Sequence, residues 1–533
     1  MQNKRSLLFF LLISVFGVLA FVPREDGGIE KLLASFQRWT DTNPQEKVYL
    51  HMDKPYYALG DTIWFKAYVT VSARHQLSAQ SQALYVELIN EHDSLIQTLK
   101  LPVIAGLGMG DFTLDDELNE GNYRIRAYTQ WMRNAGEDYF FDKTFAVGSP
   151  GGDEVQAKVN YQYEIAKEKS IVVAHLNYKD DAGKPISDKR IRYELILNNK
   201  VIYSKESETD ISGNMVVNLA NDAALQSGTG FLRTTVYTTD GRKVIRTFPV
   251  KAALSQSDLQ FFPEGGTLVS NVTSRIAFKA TGVDGAGIFI RGMVVDQLGT
   301  EVISFESHHA GMGSFLLKPE PGKQYKAKVV YKDNSTAEVS LPAAQPEGYV
   351  LAVYQLDNDS LLLRVTASAG LTKNPGSLGL IAQSGGEMIY ASKLLTSKQI
   401  NSVTLPKKSF PTGIAQFTLF DYKNEPISER IVFIRNQDQM KVKIKTAKKS
   451  YNSKEKVEVE LESTDPTGKP VAGNFSVAVI DESKVPIEEQ MESTIFSNIL
   501  LTSDLKGYIE KPNYYFTADN DTINKALDNL MLT

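Results

Sequence analysis

Residues 48–69 read VYLHMDKPYYALGDTIWFKAYV. Val48, Leu50 and Met52 alternate with Tyr49, His51 and Asp53. Lys54-Pro55 and Gly60-Asp61 interrupt the pattern. It resumes with Ile63, Phe65, Ala67 and Val69 on one face and Trp64, Lys66 and Tyr68 on the other. Period-two alternation bounded by Pro and Gly-Asp predicts an antiparallel strand pair with one buried face. The aromatic and β-branched content suits a pleated surface. Phe65 is therefore a core residue and Trp64 an outward one.

The same grammar extends outward. Residues 46–148 hold about seven short alternating runs, the signal of an immunoglobulin-like sandwich. The cluster Gly148-Ser149-Pro150-Gly151-Gly152-Asp153 marks a boundary. Further units are expected at 155–252, 257–342 and 347–437, with an incomplete fifth at 440–533. Two internal echoes point to an array. Tyr451 to Val459 repeats Tyr57 to Phe65, with Lys454 where Gly60 stands, so that turn need not be left-handed. Asp181-Ala182-Gly183-Lys184-Pro185 is matched by Pro466-Thr467-Gly468-Lys469-Pro470. Two stretches read as helical. Ile29, Leu32, Leu33, Phe36 and Trp39 form a stripe in the leader 21–45, expected to pack on the first unit. Ile487, Met491, Ile495 and Ile499 recur every four residues, and Ile523, Leu527, Leu530 and Met531 follow, with Asp521 as a candidate cap.

The run YLHMDKPYYALGDTIWFKAYV resembles the opening of the macroglobulin domain of alpha-2-macroglobulins and their bacterial relatives. With LQFFPEGGTLVSNVTSRIAFKATG at 259–282, it is similar to secreted Bacteroidetes-type proteins often fused to a TonB-dependent outer-membrane receptor. The resemblance implies an all-β tandem array of macroglobulin sandwiches with short helices at both ends.

Several chemistries are excluded. The chain has no cysteine, hence no disulfide and no thiolate site. The thioester that the resemblance would bring cannot form. A net charge of −5 with mixed signs gives no reason to expect nucleic acid. Lys4-Arg5, the apolar run Leu7 to Leu19 and Val18-Leu19-Ala20 read as a signal peptide, residues 1–20, cleaved after Ala20. An uncleaved anchor is the other reading, though the run is short for a bilayer span.

No catalytic, cofactor or metal residues are assigned. The six histidines, His51, His75, His92, His175, His308 and His309, show no zinc-site spacing. Gly106 to Gly110 is Gly-rich but precedes a strand, which favours a bulge or loop over a phosphate cradle. The acidic runs at Asp111 to Glu120, Asp357 to Asp359 and Asp519 to Asp521 could offer oxygen ligands to calcium, but none has the register of a known calcium loop, which favours turns. Trp64, Tyr68, Tyr128 and Trp131 are candidate ligand-facing aromatics, with core packing the competing reading.

The sequence thus suggests an exported, non-enzymatic binding or scaffold protein of the periplasm or outer membrane. It would be the extracytoplasmic part of a transport system, with a protein, peptide or polymer ligand. The alternative is an endopeptidase inhibitor without a thioester, with Asp481 to Asp521 as its bait.

Overall fold

The computed structural model describes residues 28–533, apart from 116, 149–154, 167–168, 181, 198–199, 221–229, 238–242, 251–257, 283–284, 333, 358, 374–375, 483–484 and 486. The signal segment and most of the 148–153 linker lie outside the described residues. The protein is all-β, with three short α-helices among the described residues.

The opening strand pair forms as the alternation requires. Glu46–Met52 pairs antiparallel with Thr62–Val71, Leu50 facing Ala67 and Met52 facing Phe65. Leu107–Thr113 extends the sheet on the far edge of Thr62–Val71. Ile63, Phe65, Ala67 and Val69 are buried against a five-stranded sheet, and Trp64 is 59% exposed. Gly108 and Gly110 sit in the strand rather than in a loop or bulge. A Cβ on Gly110 would lie 2.8 Å from the Phe65 ring, so the close approach explains the glycine.

Three more sandwiches repeat one plan, a three-stranded sheet facing a four-stranded one. In the second unit Lys169–Lys179 is the middle strand, between Gln156–Ala166 and Asn214–Ala220. In the third it is Ser274–Thr281, between Asp258–Pro263 and Met312–Leu317. In the fourth it is Ser360–Ala367, between Tyr349–Gln355 and Ile400–Pro406. Each unit encloses its own apolar core.

The repeats hold at atomic detail. Lys54 Nζ meets Asp61 Oδ2 at 2.6 Å, and the Tyr57 hydroxyl accepts from the Lys54 amide at 3.2 Å. Lys448 pairs with Glu455 in the same way, and Tyr451 accepts from the Lys448 amide at 3.1 Å. Lys454 is left-handed at φ 64°, like Gly60 at 83°. This corrects the sequence expectation: hydrogen bonds around Glu455 impose the turn although lysine disfavours it. The second echo also closes identically. Gly183 and Gly468 donate to Asp180 and Asp465, whose side chains accept from Lys184 and Lys469.

The helical segments differ from their sequence reading. The leader helix Gly28–Thr42 packs on the fourth unit rather than the first. Thr40 Oγ1 donates to the Gly386 carbonyl at 2.8 Å, and Ile29 lies against Gly379. An amphipathic stripe shows that a helix packs, not on what. The four-residue recurrence from Ile487 is helical only over Ile495–Ile499. Thr494 accepts from the Ser497 amide there and starts the helix afresh. The last helix, Asp521–Leu532, is capped by Asn520, one residue before the expected Asp521.

The fifth segment departs most. Lys441–Thr446 pairs with Val459–Thr464 in a two-stranded ribbon, and the following residues 472–480 join no described strand. The rest of the segment turns back into the molecule. Ile499, Leu501, Tyr515 and Leu527 enter the core of the first unit. Asp528 bonds Arg275 of the third unit and Arg430 of the fourth.

Candidate functional site

The outer face of the opening sheet carries Lys47, Tyr49 and His51 beside Lys66, Tyr68 and Thr70. Alternation alone would leave this face in water. Instead described residues between 472 and 504 lie across it, and its lysines, tyrosines and His51 find partners there. Lys47 donates to the Ile499 carbonyl at 2.9 Å and pairs with Asp504 at 2.7 Å. Tyr49 donates to the Ser493 carbonyl at 3.1 Å, and Lys66 to the Phe475 carbonyl at 3.0 Å. The Tyr68 hydroxyl donates to Ser476 Oγ at 2.8 Å, and Ser476 shares a 2.6 Å hydrogen bond with His51 Nδ1. This is why Lys47 and Tyr49, outward by pattern, are buried.

Between this face, the fourth unit and the ribbon lies a cavity of roughly 1880 Å³. Tyr49, His51 and Tyr68 of this face line it, as do Phe410 and Phe433 of the fourth unit. Val442 of the ribbon and Phe496 complete the lining. Its charges are mixed and balanced in sign, with Lys143 paired with Glu492 at 3.3 Å and Arg435 with Asp519 at 3.8 Å. Ile487, Ile495 and Phe496 nevertheless show 44%, 38% and 40% of their surface to solvent. Burial pushes the His51 imidazole below its usual pKa, with nearby Lys143 adding to the effect. Burial and Lys47 push His75 down to about 4. Both rings are therefore neutral at pH 7.

The His51–Ser476 contact has the residue types of a nucleophile and base, and it also ties residues 472–480 to the opening sheet. Ser476 Oγ already accepts from Tyr68, so the hydroxyl clips residues 472–480 to the sheet. Among the described residues, no three His, Asp or Glu side chains gather as a metal site requires. No helix among them is long and apolar enough to cross a membrane.

The structure does not gather the four candidate aromatics. Tyr68 lines the cavity, with its hydroxyl committed to Ser476. Trp64 lies exposed on the same strand. Tyr128 belongs to the opposite sheet, stacked 4.3 Å from Phe140 and donating to Glu87. Trp131 stands in a 3₁₀ turn and donates from its indole to the Pro44 carbonyl at 2.6 Å.

In fold, the chain is similar to bacterial alpha-2-macroglobulins. It matches the native E. coli protein at 11% identity over 80% of this chain and 31% of that one, TM-score 0.32. It matches the Salmonella protein reacted with methylamine at 12% identity, over 79% and 32%, TM-score 0.31. A biofilm-associated protein BSP domain matches at 9% identity, over 73% and 96%, TM-score 0.20. The chain spans about a third of the length of the alpha-2-macroglobulin chains. No protein-family model matches the sequence. No curated protein matches it.

Sequence reasoning missed Ser476, Phe496 and the role of His51. Their partners lie more than 400 positions apart along the chain, and alternation carries no information at that range. The one local signal was the paucity of strand grammar beyond Asp481.

Proposed function

We propose that this chain is a non-enzymatic binding and scaffold module of the cell envelope, exported after cleavage at Ala20, whose cavity receives an extended polypeptide. The cavity carries the reading. At roughly 1880 Å³ it exceeds the roughly 300–1,000 Å³ of ordinary small-molecule pockets. Its balanced charges favour a ligand of no strong net charge, and its exposed Ile487, Ile495 and Phe496 favour apolar side chains. A role beside an outer-membrane transporter rests on the sequence resemblance.

The test uses the full chain and fluorescein-labelled, reduced and carboxymethylated lactalbumin as a model extended polypeptide. Saturable binding is expected, weakened about tenfold by Phe496→Asp. Absence of binding, or indifference to Phe496→Asp, overturns the reading. A second arm adds trypsin with a large and a small substrate. Protection of the large substrate alone would replace the scaffold reading with the inhibitor one.

A further inference from the structure

The fifth segment has the opening of a sandwich and no core. Between Arg435 and Asn498, no described apolar side chain is buried. Val442, Ile444, Val459 and Leu461 share one face of the ribbon at 45%, 69%, 49% and 39% exposure. The opposite face is charged, with Lys443 and Lys445 across from Glu462 and Glu460. This is the pattern of a half-buried sheet whose buried side is open to water.

The other repeats show what is missing. In the second, third and fourth units the strand in the place of Val459–Thr464 carries a third strand on its far edge. Here Pro470 and Val471 close off the Ser463–Thr464 end, and the rest of that edge pairs with no described strand. Glu458, Glu460 and Glu462 stand at alternate positions along it, all on the charged face. A neighbouring strand would set its own outward residues opposite those carboxylates. Basic residues would be favoured there and acidic ones repelled. Its inward residues would extend the apolar face. The chain already contains one strand of this type. Lys441-Val442-Lys443-Ile444-Lys445-Thr446 pairs with the other edge of the same strand, and Lys445 meets Glu462 at 2.8 Å. A second copy meeting this edge through its own would bring Glu460 and Glu462 against their counterparts, which disfavours it.

We propose that the free edge at residues 459–462, with the apolar face beside it, docks an antiparallel β-strand of alternating basic and apolar residues presented by a protein partner. Main-chain hydrogen bonds supply the affinity, and the glutamates select the partner's charge. The strand edge itself lies outside the cavity proposed to bind polypeptide, since Glu460 and Glu462 do not line it, although Val442 of the apolar face borders both.

The probe is a fluorescein-labelled ten-residue peptide alternating lysine with valine or isoleucine, titrated against the full chain. Controls are the same peptide in scrambled order and one with glutamate for lysine. Binding of the alternating basic peptide is expected, well above both controls. The double variant E460K/E462K, on exposed side chains, should weaken it about tenfold and strengthen the glutamate peptide. Phe496→Asp should leave it unchanged, which separates this site's failure from failure of the cavity reading. Equal binding of all three peptides, or an unchanged preference in the double variant, overturns the proposal. So does a dimer, seen by sedimentation, that dissociates on Leu461→Lys, since a second copy would then be the occupant.

Discussion

The Arg430 guanidinium meets the Glu264 carboxylate at 2.9 Å inside the joint of the third and fourth units, with side chains 1% and 2% exposed. Glu264 belongs to the turn Pro263-Glu264-Gly265-Gly266 and also accepts from the Val353 amide. Arg430 reaches on to Asp528 at 2.5 Å. One buried cation thus ties two sandwiches to the last helix.

Arg430→Met should leave Glu264 charged, buried and unpaired. A loss of about 3–5 kcal/mol is expected for removing one partner of such a pair. Asp528→Asn should cost less, because Asp528 is 21% exposed and water can serve it. Urea unfolding of both variants, followed by fluorescence and by circular dichroism, checks the order. A milder effect from Arg430→Met would show that the pair is not what holds the joint.

Phe65→Asp should unfold the first unit and leave the second to fourth folded. Phe65 is 5% exposed and packs 5.9 Å from Phe112, so an unpaired carboxylate there costs several kcal/mol. That is a large share of a domain's roughly 5–15 kcal/mol. Trp64→Asp, next door on the exposed face, should shift the melting temperature little. Calorimetry of both variants separates the two faces; equal damage would contradict the face assignment.

His75 should make the first unit sensitive to mild acid. Its folded pKa of about 4 lies below the usual 6.5. As pH falls, the unfolded chain therefore takes up the proton first. The stability from neutral His75 is complete above pH 6.5 and drains away between 6.5 and 4. Lys47 opposes the charge, while Asp504 and Asp438 partly support it. With the ring only partly buried, the loss should be on the order of 1–3 kcal/mol. His75 has φ 52°, which asparagine tolerates, so His75→Asn is the suitable control. Urea midpoints from pH 7 to 4 should fall less steeply in that variant; matching slopes would assign the effect to other groups.

Limited proteolysis should cut first between Asp481 and Thr494. Ile487 and Met491 are exposed there, whereas Ser497, Leu501 and Tyr515 are almost wholly buried. Mass spectrometry of early fragments from a glutamate-specific protease, which has sites in both stretches, reads the site. First cleavage within 497–516 would mean that the second half of this stretch is not packed as described.

Local chemistry was legible in the sequence, and long-range contact was not. Alternation at Ile63 to Val69 gave the buried face, and the Tyr57–Tyr451 echo gave a turn whose lysine–carboxylate pair and tyrosine hydrogen bond recur. Lys454 was misread because a residue's own preference was weighed without Glu455, which overrides it. The leader helix showed its apolar stripe, yet nothing in that stripe names Gly386 as its neighbour. Likewise Lys47 and Tyr49 looked solvent-facing because the cover over them arrives some 450 residues later. The aromatic candidates are not brought together for a related reason: Tyr68 and Tyr128 fall on opposite sheets, a matter of topology that composition does not encode.

The last helix behaves as a keystone. Asp521–Leu532 buries Leu527 and Met531 in the core of the first unit while Asp528 reaches into the third and fourth. Tension on any one of these three units is therefore passed in part to the others through this helix. The second unit stands outside this arch, joined to the first by Arg246, which grips Glu120 at 2.8 Å and the Val155 carbonyl at 2.9 Å. A pull along the chain would spend itself on that joint first, sparing the walls of the cavity.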